Sequence, residues 1–329
     1  MPQLQLSIAM GDYDRNRPLY DRAVRIDGVD PAYMLLTPEE MFFRSFRHQA
    51  FDVSELSFSS YLVKHASGDC PYIALPVFLS RAFRHTSIYV RKDRIKTPAD
   101  LKGKRIGIPE YQLTANVWAR AVLQDDYGIK PSDVTWVHGG IDEPGRPEKV
   151  KLTLPADVRI EAAPHDTTIS DMLDRGEIDG FMAPRAPSGA AYRNPNVGWL
   201  FDDPTAVAKD YYKRTGIFPI MHVLGVRKTL AEQHPWLPGA LMKAFEASKA
   251  AALAKLEDTS ATKVTLPFVE EQLKAAKETM GENFWAYGVD ASRPTLEAFT
   301  RHHFEQGLSS RHVPVEELFH PSTYEGFKI

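Results

Sequence analysis

Residues 101–128, LKGKRIGIPEYQLTANVWARAVLQDDYG, read as a lead-in, a short strand and then the start of a helix. Arg105–Ile108 is the strand, and Pro109 ends it by removing a ladder donor. Thr114 is placed as the cap of the following helix. Its apolar face takes Val117, Trp118, Ala121 and Val122, and Gly128 stands where a left-handed terminator is expected. Such a turn presents free N–H groups, so the loop from Glu110 to Ala115 is a predicted seat for a carboxylate, with Tyr111 and Thr114 on its rim. An ordinary strand–helix connection is the competing reading.

The same strand–helix grammar extends in both directions. Upstream, Leu4–Met10 alternates as an opening strand, and Gly11-Asp12-Tyr13-Asp14 breaks it with turn formers. Asp14, Arg15 and Arg17 then sit at a strand exit, where open α/β sheets place ligand groups. Thr37-Pro38-Glu39-Glu40 starts a helix. Residues 51–56 form a second strand, followed by a serine-rich turn whose Ser57 and Ser59 hydroxyls either cap a helix or grip a polar ring substituent. Residues 72–78 form another strand, and the chain crosses between domains near 86–90. Downstream, residues 134–137 are a strand, 139–154 a long polar excursion of the kind that serves as a binding loop, lid or exposed hairpin, 167–175 a helix ended by Gly176, and 178–183 a buried strand that delivers Arg185. Residues 218–226 read as a return crossing, and the text after Lys228 is mostly helical.

This order predicts an α/β fold of two domains with a crevice between them. The first domain, 1–87, is interrupted by a second at 88–223 and resumed over 224–329. The rim of the crevice is expected to comprise Asp14, Ser57, Ser59, Tyr111, Thr114 and Arg185.

Composition narrows the function. The 329 residues carry 40 basic and 43 acidic side chains, a formal charge of −3, and nothing in that balance favours nucleic acid. Cys70 stands alone, which excludes an intrachain disulfide and disfavours a thiolate metal cluster; it reads as a buried spectator. The first residues lack a leader pattern and no segment reaches bilayer length, so the chain as given reads as cytoplasmic, without membrane association. No glycine-rich dinucleotide motif, Walker lysine, nucleophile elbow or zincin pair is present. His302 and His303, adjacent on a helix, point in different directions and read as a solvated face rather than a metal pair. Glu55, His85, His165, Arg185 and His222 fall near predicted strand ends or crossings.

The segments LSIAMGDYDR, FDVSELSFSSYL, FRHTSIYVRKD, LKGKRIGIPEYQLTANVWARAVLQDDYG, IDGFMAPRAP and FPIMHVLGVRK together resemble the 4,5-dihydroxyphthalate decarboxylase family over nearly the whole chain. The resemblance implies a type II periplasmic-binding-protein fold and the non-oxidative conversion of a small aromatic dicarboxylate, 4,5-dihydroxyphthalate, to protocatechuate and carbon dioxide. A phenolic oxygen para to the departing carboxylate makes its ring carbon electron-rich, so protonation there precedes loss of carbon dioxide, and no cofactor is required in principle.

That chemistry needs a group for the retained carboxylate, partners for the phenols and a proton donor. Arg47, Arg84 and Arg185 are candidates for the carboxylate. His85 is the first choice of acid, with Glu55 as its orienting carboxylate and His222 on a phenol. A divalent ion held by some of Glu55, His85, His165 and His222 is the alternative scheme. A homo-oligomer stays open. The competing functions are a non-catalytic binder of a small organic anion and a synthase of the thiamine-precursor type, although the His- and Cys-rich features of the latter are not visible.

Overall fold

The computed structural model describes residues 3–145 and 152–324; residues 146–151, in the excursion expected over 139–154, lie outside the described residues. In chain order the strands are β1 (Leu4–Met10), β2 (Val29–Leu35), β3 (Val53–Ser57), β4 (Tyr72–Arg81), β5 (Ile88–Arg91), β6 (Arg105–Ile108), β7 (Thr135–His138), β8 (Arg159–Ala162), β9 (Gly180–Met182), β10 (Val197–Trp199) and β11 (Ile220–Arg227).

The chain forms two compact units. The first takes the chain up to Arg81, Thr215–Glu297 and the stretch from Val313; the second takes Ala82–Arg214 and Ala298–His312. The edges expected at 87/88 and 223/224 are drawn here at Arg81/Ala82 and Arg214/Thr215. Ala298–His312, expected with the first domain, groups with the second. The reason is local bonding: buried Gln306 accepts from Arg120 Nε at 2.7 Å and donates to the Val117 carbonyl at 3.1 Å.

The first unit holds a five-stranded sheet ordered β2-β1-β3-β11-β4. β1 runs parallel to β2 and β3, whereas β11 runs antiparallel to both β3 and β4. β3 is buried along its whole length, and β11 is buried except at His222 and Arg227. Central strands covered on both faces read as continuous apolar runs, which makes Glu55 in one and His222 in the other conspicuous. β2 is not among the strands expected from the sequence; it contains Pro31 and is the edge strand, where a missing N–H costs no ladder bond.

In the second unit the sheet order is β10-β5-β9-β6-β7-β8. Helix Thr114–Tyr127 is buried from Thr114 to Leu123 and closes at Gly128, whose φ of 64° is the left-handed conformation glycine adopts without strain. Its first residue requires a correction. Leu113, not Thr114, is the N-cap, and no side chain caps the helix; Asn116 Nδ2 instead bonds the Glu110 carbonyl at 3.0 Å and straps the preceding loop. His302 and His303 also depart from the solvated face expected of them. Both are buried, and His302 Nε2 meets Asp125 Oδ2 at 2.8 Å, so the helix turns its histidines inward.

Candidate functional site

Strand register builds the site in the first unit. β11 pairs with β3 so that Leu224 lies opposite Glu55 and His222 opposite Ser57. Residues 222 and 224 share a face, so His222 is a diagonal neighbour of Glu55, a separation that two long side chains can bridge. His222 Nδ1 lies 2.6 Å from Glu55 Oε1. The pairing of β11 with β4 shifts register on either side of His222, the kind of irregularity that re-aims a side chain.

From the other side, β1 pairs Ala9 with Ser54, so the chain leaves the sheet beside Glu55. Gly11 N donates to Glu55 Oε2 at 2.8 Å, and the Tyr13 hydroxyl donates to Oε1 at 2.9 Å. Asn16, itself buried, closes this turn by donating from Nδ2 to the Gly11 carbonyl at 2.9 Å. A side chain at residue 11 would collide with Tyr13, since an added Cβ would fall 2.3 Å from its ring carbon Cζ. Any larger residue there would have to push the Tyr13 ring aside, and with it the hydroxyl that bonds Glu55.

Glu55 is fully buried. Burial alone would raise its pKa, but the bonds from His222, Gly11 and Tyr13 outweigh burial and hold the carboxyl below its ordinary value. Burial, and then the neighbouring carboxylate, push the Tyr13 phenol up, so it stays a donor. A carboxylate has no proton to give, which fixes the tautomer of its partner: His222 carries its hydrogen on Nδ1, and Nε2 is the nitrogen left to exchange protons. The His222 side chain retains 16% exposure against none for Glu55, so the dyad presents one face outward. Phe42 packs an edge against the His222 ring, centroids 4.8 Å apart.

This geometry checks itself against pH. Tyr13→Phe removes one of the bonds that lower the Glu55 pKa, so that pKa is expected to rise. The acid limb of kcat/KM should move to higher pH. The sign for stability is the same: a depressed folded-state pKa contributes stability above the unfolded value and loses it as pH falls through the folded value, so the variant loses that contribution earlier on acidification. An acid limb unmoved by Tyr13→Phe would show that Glu55 does not set it.

The remaining sequence candidates fall in both units. In the first unit Asp14 is exposed and bonded to Arg15, Arg47 is exposed in the last turn of helix Pro38–His48, Ser57 caps helix Phe58–Ala66 through its acceptance from Ser60 N at 3.4 Å, and Ser59 is buried. In the second unit His165 and Arg185 are exposed, while Arg84 is half-buried, its guanidinium drawn down to about 10 by burial. Tyr111 and Thr114 are buried, with the Arg120 guanidinium 3.8 Å from the Tyr111 ring centroid.

The surroundings of His85 weigh against the role expected of it. It is fully buried among Phe83, Phe201 and Tyr211, and burial draws its imidazole down to about 4. A ring neutral at pH 7 is a poor general acid. Glu55, expected to orient His85, bonds His222 within the first unit. Among the described residues no group of three or more His, Cys, Asp or Glu side chains is arranged to hold a metal ion. Cys70 is buried, and burial raises its thiol to about 11. Sequence reasoning missed Tyr13 and Gly11, although the Gly-Asp-Tyr-Asp turn directly after β1 was the available signal.

Two α/β units, one carrying a Glu–His dyad with a buried carboxylate at the exit of its sheet, define a protein of the type II periplasmic-binding-protein fold. The periplasmic aliphatic sulphonate binding protein SsuA from Escherichia coli matches it with a TM-score of 0.55 at 14% identity, over 100% of this chain and 96% of that one. A family model described as NMT1/THI5 like matches residues 62–144. A 4,5-dihydroxyphthalate decarboxylase from Comamonas testosteroni is 59% identical over 330 residues, covering 100% of both chains. One from Pseudomonas putida is 60% identical over 214 residues, 65% of this chain and 83% of that one. The chain belongs to the 4,5-dihydroxyphthalate decarboxylase family.

The expectation of a cytoplasmic protein is withdrawn, because solved proteins of this fold include periplasmic binding proteins. Among the described residues no helix is long and apolar enough to cross a membrane.

Proposed function

We propose that His222, held by Glu55, is the proton-transfer group of an aromatic carboxy-lyase that converts 4,5-dihydroxyphthalate to protocatechuate and carbon dioxide. The observation that carries the dyad's role is the 2.6 Å contact between a fully buried carboxylate and a partly exposed imidazole. Family membership supports the reaction.

The substrate is a small aromatic dicarboxylate whose phenolic oxygen para to one carboxylate feeds electron density to that carbon. His222, protonated at Nε2, passes a proton to this carbon. The bond to the carboxylate then breaks, its electron pair returns to the ring, and carbon dioxide leaves. One proton from solvent replaces the one consumed. Glu55 fixes the imidazole's tautomer and direction throughout, Tyr13 and Gly11 fix Glu55, and the Phe42 edge supports the imidazole ring.

Incubating the full chain with 4,5-dihydroxyphthalate should release protocatechuate and carbon dioxide in equal amounts. His222→Asn should lower kcat by about 10²–10⁴-fold with a smaller change in KM, as expected for loss of a general acid. Turnover by His222→Asn within a few-fold of the parent would remove His222 from the chemistry. A non-catalytic binder would yield no product with either protein.

A further inference from the structure

The guanidinium of Arg15 lies between two aromatic faces, with Cζ 4.2 Å from the Tyr13 ring centroid and 4.3 Å from that of Trp285. Its Nε donates to the Leu79 carbonyl at 2.7 Å, and Nη2 donates to the same oxygen. The Arg15 carbonyl is in turn pinned by the Ser248 hydroxyl at 2.7 Å. The cation is thus fixed in plane and direction before any ligand arrives, which reduces the entropy lost when an anion is bound.

Among the described residues, Nη1 alone of its nitrogens meets a carboxylate, that of Asp14 at 3.3 Å. That partner is 55% exposed, while the Arg15 side chain keeps 16% exposure. An ion pair so exposed is worth little and exchanges readily. Tyr13 connects the two centres: its ring carries the Arg15 cation and its hydroxyl touches the Glu55 oxygen that holds His222.

We propose that Arg15 Nη1 is the subsite for the substrate's retained carboxylate, with Asp14 occupying it in the empty protein. The proposal rests on the dyad reading, because it places the aromatic ring across Tyr13 with one edge at the cation and the other toward His222. Arg15 acts in specificity and positioning: it selects a ring carrying a carboxylate next to the one that departs.

Calorimetric binding of three non-reacting ligands to the full chain tests it. Phthalate carries both carboxylates, protocatechuate only the retained one, and catechol neither. Arg15→Lys should weaken phthalate and protocatechuate by about tenfold and leave catechol within about twofold, since an ammonium does not reproduce the guanidinium fork. Asp14→Asn removes the competing anion and should tighten both carboxylates about two- to threefold. Equal losses for all three ligands in Arg15→Lys would indicate a structural role only, and unchanged protocatechuate binding would assign the departing carboxylate instead; either result overturns the proposal. If Arg15→Lys does not fold, Asp14→Asn decides, and carboxylate binding that is unchanged or weaker overturns it. His222→Asn keeps the two readings apart: an inactive His222→Asn with silent Arg15 and Asp14 variants discards the subsite alone, while an active one discards the dyad.

Discussion

Glu55→Gln is expected to lower kcat by about 10²–10⁴-fold while leaving a folded protein. The substitution preserves shape and removes charge. Gln Oε1 still accepts from Tyr13 and His222, so the imidazole stays near its place, but the amide no longer compensates a proton carried by the ring. The amide nitrogen would face Gly11 N, which now donates to Oε2 at 2.8 Å. Two donors would then confront each other in a buried site. That conflict is expected to cost about 1–3 kcal/mol of stability, the desolvation penalty of an unsatisfied group. The two effects separate experimentally, because kcat measured well below the melting transition reports the dyad, whereas the denaturation midpoint reports the donor conflict. A kcat within a few-fold of the parent would show that the carboxylate serves only to join β1, β3 and β11.

Much of the scaffold was legible because local rules suffice for it. Leu4–Met10, Arg105–Ile108 and the helix ending at Gly128 are declared by alternation, helical spacing and a left-handed glycine, all within one short window. β2 was illegible for the opposite reason: whether Pro31 is tolerated depends on the strand's place at the sheet edge, a tertiary fact. The site shows the same division. Glu55 and His222 were each singled out near predicted strand ends or crossings. Their association depends on the antiparallel register of β3 with β11, which brings together residues 167 positions apart. The burial of His85 was not legible, because its aromatic surroundings come from Phe201 and Tyr211, far along the chain. His302 was misread similarly, its partner Asp125 lying on helix Thr114–Tyr127.

Such long-range dependence predicts where the second unit is most vulnerable. Trp118 is fully buried on helix Thr114–Tyr127, and its ring lies against Phe299 of the late segment, centroids 5.3 Å apart and planes 33° from parallel. Trp118→Ala leaves a cavity that the surroundings cannot fill by a simple shift. The neighbouring backbone is held by Gln306 on the Val117 carbonyl and by Arg120, whose Nη2 bonds the Tyr111 carbonyl at 2.6 Å. Loss of a large aromatic from such a site is expected to cost about 3–5 kcal/mol. Tyr192→Ala, at a side chain 67% exposed, should change stability by no more than about 0.5 kcal/mol and serves as the control. Guanidinium denaturation of both variants, with unchanged dependence on denaturant concentration, makes the comparison direct. If Trp118→Ala costs less than about 1 kcal/mol, Ala298–His312 is not anchored to the second unit through this contact. Because polar bonds from Gln306 and His302 reach the same helix, the truncation should loosen them together, so the late segment is expected to lose amide-exchange protection as a block rather than residue by residue.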